Sequence, residues 1–318
     1  MVLGKFMPPH LGHLYLVEAA RAHVDRLIVV VEHIAGEPIP STLRHRWMTE
    51  LVPGAEVVHL TDENPQDPSE HPDFWRIWRE SLARVLPARP DYVFASERYG
   101  VRLAAELGAE FVPVDPGRMV MPISGTEVRR RPLDAFAFLP PCVRAHYVRR
   151  VCVFGPESVG KSTLCRRLAA HYDTVAVPEY ARTLIEMQDG AVSFEDMARI
   201  ARGQLATEEA LARRANRVLF SDTDLLSTTL WSNALFGRVE PWLEEAARAQ
   251  RFDLTLLLDV DVPWVADVAR YLPDERRSFF ERCERALREA GRTFVHVRGD
   301  WDARWAIAVA AVDALLAA

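Results

Sequence analysis

The sequence predicts an α/β protein made of two parallel-sheet domains in tandem, and three observations carry that expectation. Short apolar, β-branched runs alternate with helically spaced segments through the first half. The same alternation restarts near residue 150. A chain of 318 residues is also long for a single hydrophobic core.

In chain order, strands are expected at residues 27–31, 56–60, 92–95 and 111–114, after a short first strand ahead of Gly4. Between them, residues 14–23, 43–51, 74–86 and 101–107 space their apolar side chains for helices. Strands that alternate with helices pair in parallel, because each helix carries the chain back across the sheet. Arginines 129–131, Pro132 and the Pro140-Pro141 pair interrupt the pattern, so the boundary is expected near Tyr147, giving domains 1–147 and 148–318. Strand signals return at 151–154, 175–177, 218–220, 254–258 and 293–297, with helical patterns between. The apolar tail 305–318 is too short to span a bilayer and carries Asp313, so it reads as a docking helix.

Composition narrows the class. The net charge of −6 and pI near 6.0 argue against a general nucleic-acid binder. Cys142, Cys152, Cys165 and Cys283 form no CxxC pair and no metal-ligand spacing, and they read as reduced, buried thiols. With no leader and no membrane span, a cytoplasmic location is expected. Of 39 basic residues only Lys5 and Lys161 are lysines. A codon bias toward arginine accounts for the general pattern but not for where the exceptions fall. Both lie in glycine-containing segments suited to phosphate, where a compact ammonium and a broad guanidinium are not interchangeable.

In the second half, residues 155–162 fit G-x4-G-K-[ST], with an apolar strand before them and a helical pattern at 163–172 after them. Gly155 and Gly160 let backbone N–H groups curl round phosphates, Lys161 reaches the outer phosphates, and Ser162 offers a hydroxyl to Mg²⁺. Glu179, in Glu179-Tyr180-Ala181-Arg182, follows a strand and suits an acceptor hydroxyl, or is a solvated loop acid. Asp222, in Asp222-Thr223-Asp224, stands where a Mg²⁺-organising acid is expected. A helix cap is the other reading, and Asp224 competes for either part. Arg270, Arg276 and Arg277 lie in a charged stretch of the kind that forms a lid, or are exposed helix charges.

In the first half, Gly4-Lys5-Phe6 leads into His10-Leu11-Gly12-His13. The imidazoles suit phosphate donation at a helix start, although two histidines also admit zinc ligation or core packing. The second cluster is Ile123-Ser124-Gly125-Thr126-Glu127-Val128-Arg129. Ser124 and Thr126 supply short hydroxyls there, and Arg129 supplies a charge-assisted bond.

These two motifs resemble those of the HxGH/ISGTxxR nucleotidyltransferases, a Rossmann-like class. The whole chain is similar to the NadR-type family, which joins such a domain to a P-loop kinase. The similarity extends to Asp62-Glu63-Asn64-Pro65, Phe74-Trp75-Arg76-Ile77-Trp78 and Ser96-Glu97-Arg98-Tyr99-Gly100. The resemblance implies nicotinamide mononucleotide adenylyltransferase and ribosylnicotinamide kinase activities, using ATP and Mg²⁺ and forming NAD. It implies ATP contacts at Gly4, Phe6, Ser124 and Thr126, and catalysis by Lys5, His10, His13 and Arg129. It implies mononucleotide contacts at Glu97, Tyr99, Trp75 and Trp78, the two tryptophans either stacking on the pyridine or packing in the core.

For the second domain the resemblance implies ATP contacts at Gly155, Gly160, Lys161, Ser162, Thr163, Arg276 and Arg277. It implies catalysis by Lys161, Glu179 and Asp222, and nucleoside contacts at Tyr180, Arg182, Asp224 and Arg270. Family members that repress transcription carry an N-terminal helix-turn-helix. This sequence reaches Gly4 at once, so neither repression nor a nucleic-acid partner is expected. The chain is compatible with a homo-oligomer. The alternatives are an enzyme with one active domain and one nucleotide-sensing domain, or a non-enzymatic NAD-responsive regulator.

Overall fold

A computed structural model describes residues 1–265, 271 and 273–318. The chain divides into two compact units, Met1–Val143 and Arg144–Ala318. Among the described residues no helix is long and apolar enough to cross a membrane.

The first unit is one parallel sheet wrapped by helices. Its strands are β1 (Val2–Gly4), β2 (Ile28–Glu32), β3 (Glu56–Leu60), β4 (Tyr92–Ala95) and β5 (Glu110–Pro113), in the spatial order β3-β2-β1-β4-β5. The helices are α1 (Leu11–His23), α2 (Ser41–Leu51), α3 (Phe74–Val85), α4 (Tyr99–Leu107) and α5 (Gly125–Arg130), and α6 (Pro141–Tyr147) runs across the division into the second unit. Apolar residues of α1 and α2 cover one face of the sheet and those of α3 and α4 the other. That double cover is why the central strands read as unbroken apolar runs. β1 has only three residues, yet it holds the sheet centre, paired with β2 and β4. The Met1 carbonyl extends its ladder by accepting from the Phe94 N–H at 3.0 Å.

The second unit repeats the layout with strands β6 (Arg149–Phe154), β7 (Ala176–Val177), β8 (Val218–Asp222), β9 (Leu254–Leu258) and β10 (Phe294–Val297), ordered β10-β9-β6-β8-β7 and all parallel. Its helices are α7 (Lys161–His171), α8 (Tyr180–Met187), α9 (Phe194–Ala212), α10 (Leu225–Phe236), α11 (Pro241–Ala249), α12 (Arg276–Glu289) and α13 (Trp301–Ala317). β6, β8 and β9 have cores of Val, Leu and Phe that are almost wholly buried. The tail helix α13 packs Ala308 and Val312 into that core. It starts a turn earlier than its apolar pattern, because the Asp300 carboxylate caps it by accepting from the Ala303 N–H at 2.9 Å. All four cysteines are buried and free.

In both sheets the chain first lays two strands on one side of the central strand and then crosses to the other side. Such a switch point opens a crevice at the strands' carboxyl ends. In the first unit it lies between β1 and β4, and in the second it adjoins β6.

Candidate active sites

The first crevice is a cleft of about 600 Å³ lined by Gly4, Lys5, Phe6, His10, His13, Trp75, Trp78, Glu97, Tyr99, Ser124, Thr126 and Arg129, among others. The chain leaves β1 through a tight turn in which Phe6 adopts φ +48° and buries its ring edge-on to His13, 5.0 Å away. An aromatic residue in the left-handed region is rare, and such strain collects at functional sites. His10 then caps α1 and stacks on His13, with ring centroids 3.8 Å apart.

Burial above all, and then the charge of Arg118, pushes His10 down to about 4. His13 is lowered well below the ordinary histidine range by burial, then by His10 and Arg118. Both rings are therefore neutral near pH 7 and offer one N–H each. In His13, Nδ1 accepts the His10 backbone N–H at 3.3 Å, which assigns the proton to Nε2.

The second motif closes on the first through Arg129, whose Nη1 donates to the Met7 carbonyl at 2.5 Å and Nη2 to Thr126 Oγ1 at 3.3 Å. Gly125 is required here, because a Cβ would stand 2.8 Å from the Met7 carbonyl oxygen. Ser124 differs from its sequence reading as a phosphate donor. Its Oγ donates to Glu127 Oε2 at 2.7 Å and accepts the Glu127 N–H at 3.2 Å, so it serves first as the cap of α5.

The tryptophans separate. Trp78 is a core residue that also floors the cleft, its Nε1 donating to the Pro65 carbonyl at 2.8 Å. Trp75 is half-buried and lies edge-on to Phe74. Tyr99 donates its hydroxyl to the Leu3 carbonyl at 2.7 Å, and Glu97 pairs with Arg118 at 3.2 Å. Glu32, Gln66 and Arg118 also line this cleft and carried no signal in the sequence. Each sits at a strand end or in a loop where no spacing rule singles it out.

The second crevice, about 350 Å³, is lined by Gly160, Lys161, Ser162, Thr163, Glu179 and Arg182 with an apolar wall of Ile185, Val192, Met197, Ile200 and Trp231. The loop after β6 wraps the start of α7. Gly155 has φ +138°, and a Cβ there would stand 2.8 Å from the Leu258 carbonyl oxygen on β9. The Lys161 ammonium folds back to donate to the Pro156 carbonyl at 2.7 Å.

Asp222 ends β8, nearly buried beside Ser162, which hydrogen-bonds it. Burial raises Asp222 above the ordinary carboxylate range, against the pull of Lys161. Glu179 is likewise raised, by burial first, with Lys161 lowering it and Asp222 raising it further.

Several sequence expectations change here. Thr223 adopts φ +74°, unusual for a β-branched residue, and this turn sends Asp222 and Asp224 to different surroundings. Asp224 is fully buried, caps α10 by accepting the Ser227 N–H at 2.9 Å, and faces Arg292 at 3.6 Å; it does not line the cleft. Tyr180 is also absent from the lining, because its ring packs onto α9, where Gly203 leaves room for it. Arg276 donates to the carbonyls of Ser158, at 3.1 Å, and Val262, at 3.0 Å, and so holds the loop from outside the cleft. Arg277 pairs with Asp259 at 3.0 Å. Arg270 lies outside the described residues. The Met197, Ile200 and Trp231 wall had no sequence signal, since these residues look like ordinary helix core.

Among the described residues no group of three His, Cys, Asp or Glu is arranged to hold a metal. Ser162 lines the second cleft, and Asp222, which is itself absent from the lining, lies directly behind it. Asp222 Oδ1 is buried with no partner, next to the Ser162 hydroxyl. Two hard oxygens with phosphate alongside suit Mg²⁺, which keeps waters and takes few protein ligands.

A Rossmann-like unit with neutral imidazoles at a helix start, followed by a P-loop unit with paired acids, defines a nucleotidyltransferase joined to a kinase. Residues 1–131 match the cytidylyltransferase-like family model and residues 150–304 an AAA domain model. The chain is 31% identical over 329 residues to the trifunctional NAD biosynthesis/regulator protein NadR of Salmonella typhimurium, covering 96% of this chain and 80% of that protein. It is 27% identical over 159 residues to a nicotinamide-nucleotide adenylyltransferase of Thermococcus kodakarensis, covering 48% of this chain and 82% of that one. In fold it matches a crystal structure of NadR protein in complex with NR, with a TM-score of 0.83 at 23% identity, over 100% of this chain and 96% of the other. The chain belongs to the NadR family.

Proposed function

We propose that the second unit phosphorylates the 5′-hydroxyl of ribosylnicotinamide and that the first unit joins the resulting nicotinamide mononucleotide to the adenylyl group of ATP, giving NAD and pyrophosphate. The observation that carries this reading is one NadR-family chain with a phosphate-directed cleft at the switch point of each of its two sheets. The buried, free cysteines suit a reducing compartment, the cytoplasm.

In the first cleft the mononucleotide phosphate is already an anion and needs no protein nucleophile. One of its oxygens attacks the α-phosphorus of ATP, and the bond to the β-phosphate oxygen breaks. Neutral His10 and His13 donate N–H bonds at the start of α1, and Lys5 and Arg129 supply positive charge. These donors act on charge that grows on the phosphate oxygens in the transition state. Gly4, Phe6 and Thr126 shape the ATP side, while Trp75, Trp78, Glu97 and Tyr99 bound the mononucleotide side.

In the second cleft the loop N–H groups and Lys161 hold the ATP phosphates, with Ser162 and Thr163 opening α7 behind them. The nucleoside oxygen attacks the γ-phosphorus, ADP leaves, and Glu179 takes the hydroxyl proton. Arg182 adds positive charge beside the acceptor. Asp222 and Ser162 would hold Mg²⁺, which supplies charge neutralisation on the outer phosphates. The test is to incubate the chain with Mg-ATP and ribosylnicotinamide and separate the products. Mononucleotide with ADP, then NAD with pyrophosphate, is expected; no nucleotide product overturns the proposal.

A further inference from the structure

Among the described residues, the two largest side chains that are less than 2% exposed are both arginines, Arg44 at 0% and Arg304 at 1%. Neither lines the first or the second cleft. Each instead spends its guanidinium on backbone carbonyls. Arg304, on α13, donates from Nη1 to the Val159 carbonyl at 2.8 Å, from Nε to Gly299 at 3.0 Å and from Nη2 to Asp259 at 2.8 Å, and it pairs with the Asp261 carboxylate. Arg44, on α2, donates from Nε to the Ile39 carbonyl at 3.0 Å and from Nη1 to the Glu32 carbonyl at 3.1 Å and to that of Lys5. In both units one bond goes to the phosphate loop and another to the carboxyl end of a strand next to the central one, Glu32 ending β2 and Asp259 following β9.

A trans peptide points its carbonyl and the next N–H to opposite sides. Binding the Val159 carbonyl from behind therefore aims the Gly160 N–H outward, toward the cleft that Gly160 lines. Binding the Lys5 carbonyl does the same for the Phe6 N–H in the first cleft. A guanidinium is suited to this work, because its fixed fork satisfies several carbonyls at once while a lysine reaches fewer.

We propose that Arg304 and Arg44 are positioning residues, each fixing the phosphate loop of its own unit so that a backbone N–H stays directed at the ATP phosphates. The proposal rests on the two activities assigned above and adds the device that holds their anion sites in shape. Arg304 serves phosphoryl transfer and Arg44 serves adenylyl transfer.

The test compares Arg304→Lys and Arg44→Lys with the wild-type chain. Arg304→Lys is expected to raise the KM for ATP in phosphorylation by about 10-fold, the scale of one charge-assisted bond. The KM for ribosylnicotinamide should stay within about twofold, and adenylyl transfer should be unchanged. Arg44→Lys should give the reverse pattern. Calorimetric titration of ATP without acceptor reads the same loss directly, as weakening of one of two sites. In Arg304→Ala, added methylguanidinium should restore ATP affinity, and it should not do so in Lys161→Ala.

Unchanged ATP affinity in Arg304→Lys, or an Arg304→Ala defect that methylguanidinium leaves in place, overturns the proposal. If Arg304→Ala does not fold, the lysine variant alone decides. Wild-type protein run alongside keeps the questions apart. Its failure to phosphorylate the nucleoside defeats the assigned activity, whereas an active wild type beside an unaffected Arg304→Lys defeats the positioning role.

Discussion

The histidine pair illustrates how far a motif can be read at the scale of single residues. Spacing alone left phosphate donation, zinc ligation and core packing open for His10 and His13. Stacking and burial are tertiary facts, and they settle the charge state by making both rings poor bases. The sign of the pH effect follows. His10 has a folded value of about 4 against an ordinary 6.5, so between those values the unfolded chain takes a proton that the folded form refuses. Stability present at pH 7 is therefore lost as the pH falls toward 4, with an upper scale of about 3 kcal/mol. Chemical denaturation of the ligand-free chain at pH 7 and pH 5 should show this loss, and His10→Asn should shrink it.

The two acids of the second cleft invite a sharper test. Both are raised by burial, but Asp222 adjoins Ser162 behind the lining whereas Glu179 lines the cleft itself. A general base must be ionised, so phosphorylation should weaken as the pH drops through the raised value of Glu179, and Glu179→Gln should lower kcat by about 10²–10⁴. Its magnesium dependence should hardly move. Asp222→Asn should instead shift the magnesium requirement upward. Titrating Mg²⁺ against the phosphorylation rate of both variants decides it, and an exchanged pattern would mean that the two roles are reversed.

At the scale of elements, the alternation of strands and helices was legible because each sheet is covered on both faces and its strands are unbroken apolar runs. Helix starts were less legible. α1 begins three residues before its apolar pattern because a histidine, an uncommon cap, starts it. β7 shrinks to two residues at a sheet edge, where only one neighbour fixes it. The contact between the turn after β1 and α5 was not legible in pattern or spacing, since it joins segments more than a hundred residues apart; only the family resemblance brought the two motifs to one site. Gly125 makes that contact testable. In Gly125→Ala the new methyl would press on the Met7 carbonyl. Relief by a backbone shift costs about 1–3 kcal/mol and draws Arg129 away from the turn. Adenylyl transfer should fall about 10-fold or more with phosphorylation unchanged; equal loss of both rates would place the effect on general folding.

At the scale of the whole molecule, each cleft is lined only by residues of its own unit among those described, with nothing beyond Val143 in the first or before Arg144 in the second. The two reactions should therefore separate by mutation and rejoin by mixing. His13→Ala removes one transition-state donor and should slow adenylyl transfer by about 10²-fold or more, so that the mononucleotide accumulates from ribosylnicotinamide. Lys161→Arg keeps the charge but puts a planar fork where the loop cradles a compact ammonium. It should make NAD from supplied mononucleotide and none from the nucleoside. Combining the two variants in one tube supplies one working cleft of each kind on different chains. If the mononucleotide leaves one cleft through solvent and enters another, NAD formation from the nucleoside returns, and its lag shortens as the concentration of the Lys161→Arg chain, which consumes the mononucleotide, rises. A mixture that stays inactive while each variant keeps its remaining activity would show that the intermediate passes only within one chain, which two separately lined clefts do not require.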